Sequence, residues 1–147
     1  MISYLVDETK TSMAGIFGIG CNPDFAALEF NFVQKIFFRE QISHPYLQVI
    51  FAFDQGLVLP INRLRHIAIE IGKILVSDQR QIFGAIHYRN TNKIHCHFLI
   101  NLVNVFGKLF QQKFSLWHYK CQVNEILNSY GLSRIHFFGD ESLLIAS

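Results

Sequence analysis

The sequence predicts an α+β fold, an antiparallel β-sheet with helices packed on one side. Three observations carry that prediction. Two β-rich runs meet across a short polar turn, as in a hairpin. Three segments repeat apolar residues at helical spacing. Successive strands are joined both by helices and by the hairpin, so the sheet is not a uniformly parallel one. The chain has 147 residues, which fits one domain spanning residues 1–147 with a substantial core.

The first long helix is expected in "Asn22-Pro-Asp-Phe-Ala-Ala-Leu-Glu-Phe-Asn-Phe-Val-Gln-Lys-Ile-Phe-Phe38". Asn22 suits the N-cap and Pro23 the first helical position. Phe25, Leu28, Phe32, Val33 and Ile36 then recur at helical spacing, the mark of an apolar face. "Leu47-Gln-Val-Ile-Phe-Ala-Phe53", bounded by Pro45 and Gly56, reads as a buried strand. Pro60 opens a second helix with Ile61, Leu64, Ile67, Ala68, Ile71, Ile74 and Leu75 on one face. "Gln81-Ile-Phe-Gly-Ala-Ile-His-Tyr88" and "Ile94-His-Cys-His-Phe-Leu-Ile-Asn101" flank the turn "Arg89-Asn-Thr-Asn-Lys93" and form the hairpin. A third helix is expected over about residues 113–130, closed by Gly131. "Ile135-His-Phe-Phe-Gly139" is read as a last short strand.

Composition narrows the function classes. Charged residues are 16% and hydrophobic ones 50%, too apolar a mixture for a disordered chain. Lys+Arg is 13 against 11 Asp+Glu. That balance excludes the strongly basic coat of a non-specific DNA binder and leaves room only for local nucleic-acid contact. The mean hydropathy is +0.23, yet the apolar runs are interrupted well below spanning length, so no membrane segment is expected. The first ten residues lack the basic and apolar regions of a secretory signal. Three cysteines, Cys21, Cys96 and Cys121, form no C-x-x-C pair. They point to reduced thiols in a cytoplasmic protein.

The chemistry lies in the hairpin. Residues two apart on a strand share a face, so His95 and His97 project together, roughly 7 Å apart at the backbone. The short turn sets His87 approximately opposite His95, at the roughly 5 Å of a cross-strand pair. Two readings stand at this point. One is a set of partly exposed imidazoles on an ordinary hairpin. The other is a three-histidine metal site that leaves coordination positions open, the catalytic pattern. Ile94, Cys96, Phe98 and Ile100 would face the core, and His95, His97, Leu99 and Asn101 the other way. His44, His66, His118 and His136 lack such a pattern and read as surface or satisfied core residues.

These residues resemble the third motif of the plasmid mobilisation relaxases, in the HUH endonuclease superfamily. Their pattern is a His, seven residues, then His-x-His followed by apolar residues and Asn. Here it is His87, His95, His97 and "Phe98-Leu-Ile-Asn101". "Asn101-Leu-Val-Asn-Val-Phe-Gly-Lys108", "Tyr130-Gly-Leu-Ser133", "Gly18-Ile-Gly-Cys-Asn22" and "Ala27-Leu-Glu-Phe30" extend the likeness on both sides. "Ile2-Ser-Tyr-Leu-Val-Asp-Glu-Thr-Lys-Thr11" is similar to the first motif, whose Tyr is the nucleophile. The chain begins almost at that motif, where relatives usually carry another strand, so a shortened or divergent relaxase is expected.

The resemblance implies a relaxase-like palm. It implies that Tyr4 attacks one DNA strand at a transfer origin and keeps the 5′-phosphate as a tyrosyl ester. His87, His95 and His97 would hold Mg²⁺ or Mn²⁺. Single-stranded DNA is the implied partner, with accessory mobilisation proteins. Lys10, Arg89, Lys93 and Lys108 lie in or beside the motifs and would contact phosphates, or else are solvated loop charges. The sequence departs from the family at three places. Arg89 stands where the family often has Asp, Ala52-Phe53 where it has Ser-Phe, and Leu57 where an acidic residue is usual. Asn101, Asp54 and Glu29 are then the candidates for orienting a ligand histidine or taking the tyrosine proton. Two alternatives remain. A related replication initiator or single-strand transposase would use a later nucleophile, Tyr119 or Tyr130. A relaxase-like module that has lost cleavage would only bind DNA.

Overall fold

The computed structural model describes residues 2–39, 41–54, 56–111, 115–133 and 145–146. In chain order the elements are α1 (Ile2–Leu5), β1 (Ile16–Ile19), α2 (Ala26–Ile36), β2 (Tyr46–Ala52), α3 (Ile61–Leu75), β3 (Ile82–His87), β4 (His95–Asn101), α4 (Leu116–Ser129) and β5 (Ile145–Ala146). The strands form one antiparallel sheet in the order β1-β3-β4-β2-β5. The α+β class is as predicted. The expected strand at 135–139 lies outside the described residues.

Helices cover both faces of this sheet, where the sequence suggested one. On the first face, Leu64, Ile67, Ala68 and Ile71 of α3 and Val123 and Leu127 of α4 pack on Val49, Phe51, Ile82, Ile86, Cys96, Phe98 and Ile100. On the second, Leu5 of α1 and Ala26 and Phe30 of α2 pack on Phe83, Ala85 and Leu99. The cause is visible in β3. "Ile82-Phe-Gly-Ala-Ile86" is apolar at every position, and all of it is buried. Such a strand needs cover on two sides.

The apolar face expected for α2 is corrected. Phe25, Leu28 and Phe32 are more than half exposed and Ile36 is 49% exposed. The helix buries Ala26, Phe30 and Gln34 instead. It carries two apolar stripes, and a buried hydrogen bond decides between them. Gln34 Nε2 donates to Asn101 Oδ1 at 2.9 Å, which fastens that side to the sheet. The N-terminal reading holds, since the Asn22 side chain accepts from the Asp24 amide and a 3₁₀ turn over Pro23–Phe25 leads into the helix. Helix α3 matches its predicted span, and α4 starts at Leu116 with Ser115 capping the His118 amide. The four-residue α1 and β1 were not anticipated, because neither is long enough to show a period.

Gly84 illustrates how tightly the first face is packed. It pairs with Phe17 across β1 and β3, and a Cβ there would lie 2.1 Å from the Phe17 ring. Gly84→Ala is therefore expected to displace that buried ring and cost about 1–3 kcal/mol, as overpacking does. A lowered urea midpoint at unchanged slope would show it. An unchanged midpoint would mean that Phe17 moves freely.

Candidate metal centre

The hairpin register sets the site. β3 and β4 pair with His87 opposite His95 and Ala85 opposite His97. The small Ala85 leaves room beside His97, and the three rings converge on the second face. Their centroids are 5.1 Å apart for His87–His95, 4.5 Å for His87–His97 and 5.1 Å for His95–His97. One ring nitrogen from each lies within 4.8 Å of the others. His87 and His97 are buried, while His95 is half-buried at the rim.

Each ring is held by its other nitrogen. His87 Nε2 is 2.9 Å from the Leu5 carbonyl. His95 Nδ1 is 3.0 Å from the Lys93 carbonyl. His97 Nδ1 is 3.0 Å from the Gln48 amide nitrogen Nε2. That leaves His87 Nδ1, His95 Nε2 and His97 Nε2 for the common centre. His97 Nε2 is buried and has no hydrogen-bond partner. An orphaned buried nitrogen in a group of three is what a cation site requires, so the residues fit a divalent metal.

Burial favours the neutral form of His87 and His97, the form a metal ligand needs. Burial, and then the neighbouring His87, His95 and Lys10, push His97 down to about 4. Burial likewise lowers His87, against the opposing pull of its bond to Leu5. The groups holding the far nitrogens are also neutral: two carbonyls and an amide. A bound cation would therefore keep its full charge toward an anionic ligand.

Tyr4 reaches this centre from α1. Its ring lies edge-on to His87 with centroids 6.0 Å apart, and it is 54% exposed. Lys10 Nζ sits 3.8 Å over the same ring. The bond from His87 to the Leu5 carbonyl ties the helix to the metal centre directly.

The remaining candidates divide. The Arg89 guanidinium donates to the carbonyls of Glu8 and Thr11, each at 3.0 Å. Tyr88 and Arg89 amides also donate to the Lys10 carbonyl, and Asn90 Nδ2 to that of Thr9. Arg89 thus clamps the 8–11 loop, which carries Lys10, rather than pointing a free cation at DNA. Lys93 is exposed at the hairpin turn beside His95. Lys108 is distant from the trio. It lines an open cleft with Arg39 and Phe106 beyond the other end of β4.

The three orienting candidates lie elsewhere. Asn101 is fully buried and bonds to Gln34, Gln81, Phe30 and Val103, so it fastens α2 to the sheet. Glu29 accepts from the Asn22 amide ahead of α2. Asp54 lines a cavity of about 160 Å³ with Leu127 and Leu132, on the α4 side. Among the described residues none of them bonds to a histidine of the trio. Ala52 pairs with His95 and offers its ring no hydrogen-bonding group, and the Lys93 carbonyl lies 3.0 Å from His95 Nδ1. Leu57 packs into the α3 core. Tyr119 and Tyr130 belong to α4 and its cap. Burial raises the Tyr119 phenol, and Tyr130 packs edge-on to His66 of α3.

The antiparallel sheet thus sets three histidines that could hold a divalent cation beside an exposed tyrosine. The match to known families makes this specific. Residues 4–132 match the MobA/VirD2-like relaxase nuclease domain, and the chain belongs to that family. No curated protein and no solved structure matches it significantly. Membership carries a relaxase-type DNA-nicking function, single-stranded DNA as the ligand and dependence on a metal. No helix among the described residues is long and apolar enough to cross a membrane.

Proposed function

We propose that this domain nicks and rejoins one DNA strand at a transfer origin, with Tyr4 as nucleophile and His87, His95 and His97 as ligands of Mg²⁺ or Mn²⁺. The observation that carries the reading is the 6.0 Å between the Tyr4 and His87 rings. The Tyr4 oxygen attacks the phosphorus in line. The new bond joins that oxygen to phosphorus, and the bond from phosphorus to the 3′-oxygen breaks. The exposed phenol gives its proton to water, and the departing 3′-oxygen takes one up. The product is a free 3′-hydroxyl and a 5′-phosphotyrosyl ester, whose retained bond energy lets the 3′-hydroxyl reverse the step. A divalent cation, when bound, supplies Lewis-acid polarisation of a phosphate oxygen. Lys10 places positive charge where the phenol oxygen and phosphate gain negative charge. Lys93 at the rim is suited to a flanking phosphate. The setting is mobilisation of a plasmid or similar element in the cytoplasm, with accessory proteins.

The test uses end-labelled single-stranded oligonucleotides tiled across the transfer region of the protein's own replicon, with Mn²⁺. A covalent adduct that persists in Tyr119→Phe and Tyr130→Phe is expected. Loss of the adduct in either of those variants would favour the initiator or transposase reading. DNA binding with no adduct at all would favour a module that has lost cleavage.

A further inference from the structure

Two features outside the metal centre were weaker. The exposed Phe25, Leu28 and Phe32 stripe on α2 has nothing on it to say what covers it. The cleft lined by Arg39, Arg80, Asn104, Phe106 and Lys108 holds three cations, but its buried Arg80 already pairs with Asp78 and donates to the Leu102 carbonyl. Gln48 carries more.

We infer that Gln48 is a positioning residue for the metal centre, fixing His97 in the one tautomer that can bind a cation. This rests on the metal reading above. Gln48 lies on β2, two pairs along from the Ile50–His97 pair, and its amide nitrogen Nε2 stands 3.0 Å from His97 Nδ1. The amide has two ways to make that bond, since a half-turn exchanges its nitrogen and oxygen. If the nitrogen donates to Nδ1, the ring proton must sit on Nε2. That proton would then point into the buried trio, where Nε2 has no acceptor. If the oxygen accepts from Nδ1–H, the Nε2 lone pair faces the trio. Only this arrangement leaves no buried donor unpaired and gives a cation its third nitrogen. Gln48 thus does for His97 what the Leu5 and Lys93 carbonyls do for His87 and His95. Those two can only accept, whereas Gln48 must choose, and the cation selects the choice.

Calorimetric titration of the full chain with Mn²⁺ tests this. Gln48→Leu is expected to weaken Mn²⁺ binding roughly 10–100-fold, the usual effect of removing a group that orients a ligand. Gln48→Glu is expected to bind at least as tightly as the parent, because a carboxylate only accepts and holds the same tautomer. Parent-like affinity in Gln48→Leu, or equal weakening in both variants, would overturn the inference while leaving the metal site standing. No Mn²⁺ binding by the parent would instead remove the metal reading, and this one with it. Should Gln48→Leu fail to fold, nitrogen NMR of the parent loaded with diamagnetic Mg²⁺ decides. His97 protonated at Nδ1 and coordinating through Nε2 is expected, and coordination through Nδ1 would overturn the inference.

Discussion

Tyr4→Phe is expected to abolish the covalent DNA adduct and to lower strand cleavage on the order of 10⁴-fold or more, as loss of a nucleophile does. The change removes one oxygen and keeps the ring. The edge contact with His87 and the Lys10 ammonium over the ring face both persist. Stability should change little, because the ring is 54% exposed and the described structure gives its hydroxyl no hydrogen bond. Metal affinity should also be unchanged. Loss of the adduct with a parent-like melting curve and parent-like Mn²⁺ binding would isolate the chemistry. An adduct formed by Tyr4→Phe at parent yield would exclude Tyr4.

The second large effect is expected at the histidines, and the three should differ. Removing any ligand should weaken Mn²⁺ binding by more than the roughly 10–100-fold that loss of an orienting group costs. His95→Ala should do so with little loss of stability, because His95 sits at the rim and its outer bond is to the exposed Lys93 turn. His87→Ala should cost more. His87 is 1% exposed and holds the Leu5 carbonyl at the end of α1. Its loss leaves a cavity and frees the helix that carries Tyr4, so adduct formation should fail even at saturating metal. Parallel titrations and urea melts of His87→Ala and His95→Ala would show the split. Equal stability of the two variants would mean that α1 is held without His87.

The difference between the two histidines was not legible in the sequence, and the reason is physical. The trio itself was legible because a strand has a period of two and the turn is short. Those facts alone put His87 across from His95. The long helix α3 was legible because its single apolar stripe runs for four turns. Helix α2 was not, because Phe25, Leu28 and Phe32 compete with Ala26 and Phe30, and a tertiary hydrogen bond from Gln34 decides. The outer partners of the ligands were hidden for another reason. Leu5 and Lys93 act through backbone carbonyls, which every residue has. Gln48 acts from a neighbouring strand, with no spacing to mark it. Arg89 looked like a lost carboxylate and a possible phosphate contact. In the fold it clamps the loop that presents Lys10.

The most direct test is a crystal structure of the chain grown with Mn²⁺, with anomalous data collected near the manganese edge. One anomalous peak is expected per chain, within bonding distance of His87 Nδ1, His95 Nε2 and His97 Nε2, with the Tyr4 ring still edge-on to His87. A peak bound through other atoms, or an empty trio at saturating Mn²⁺, would contradict the account.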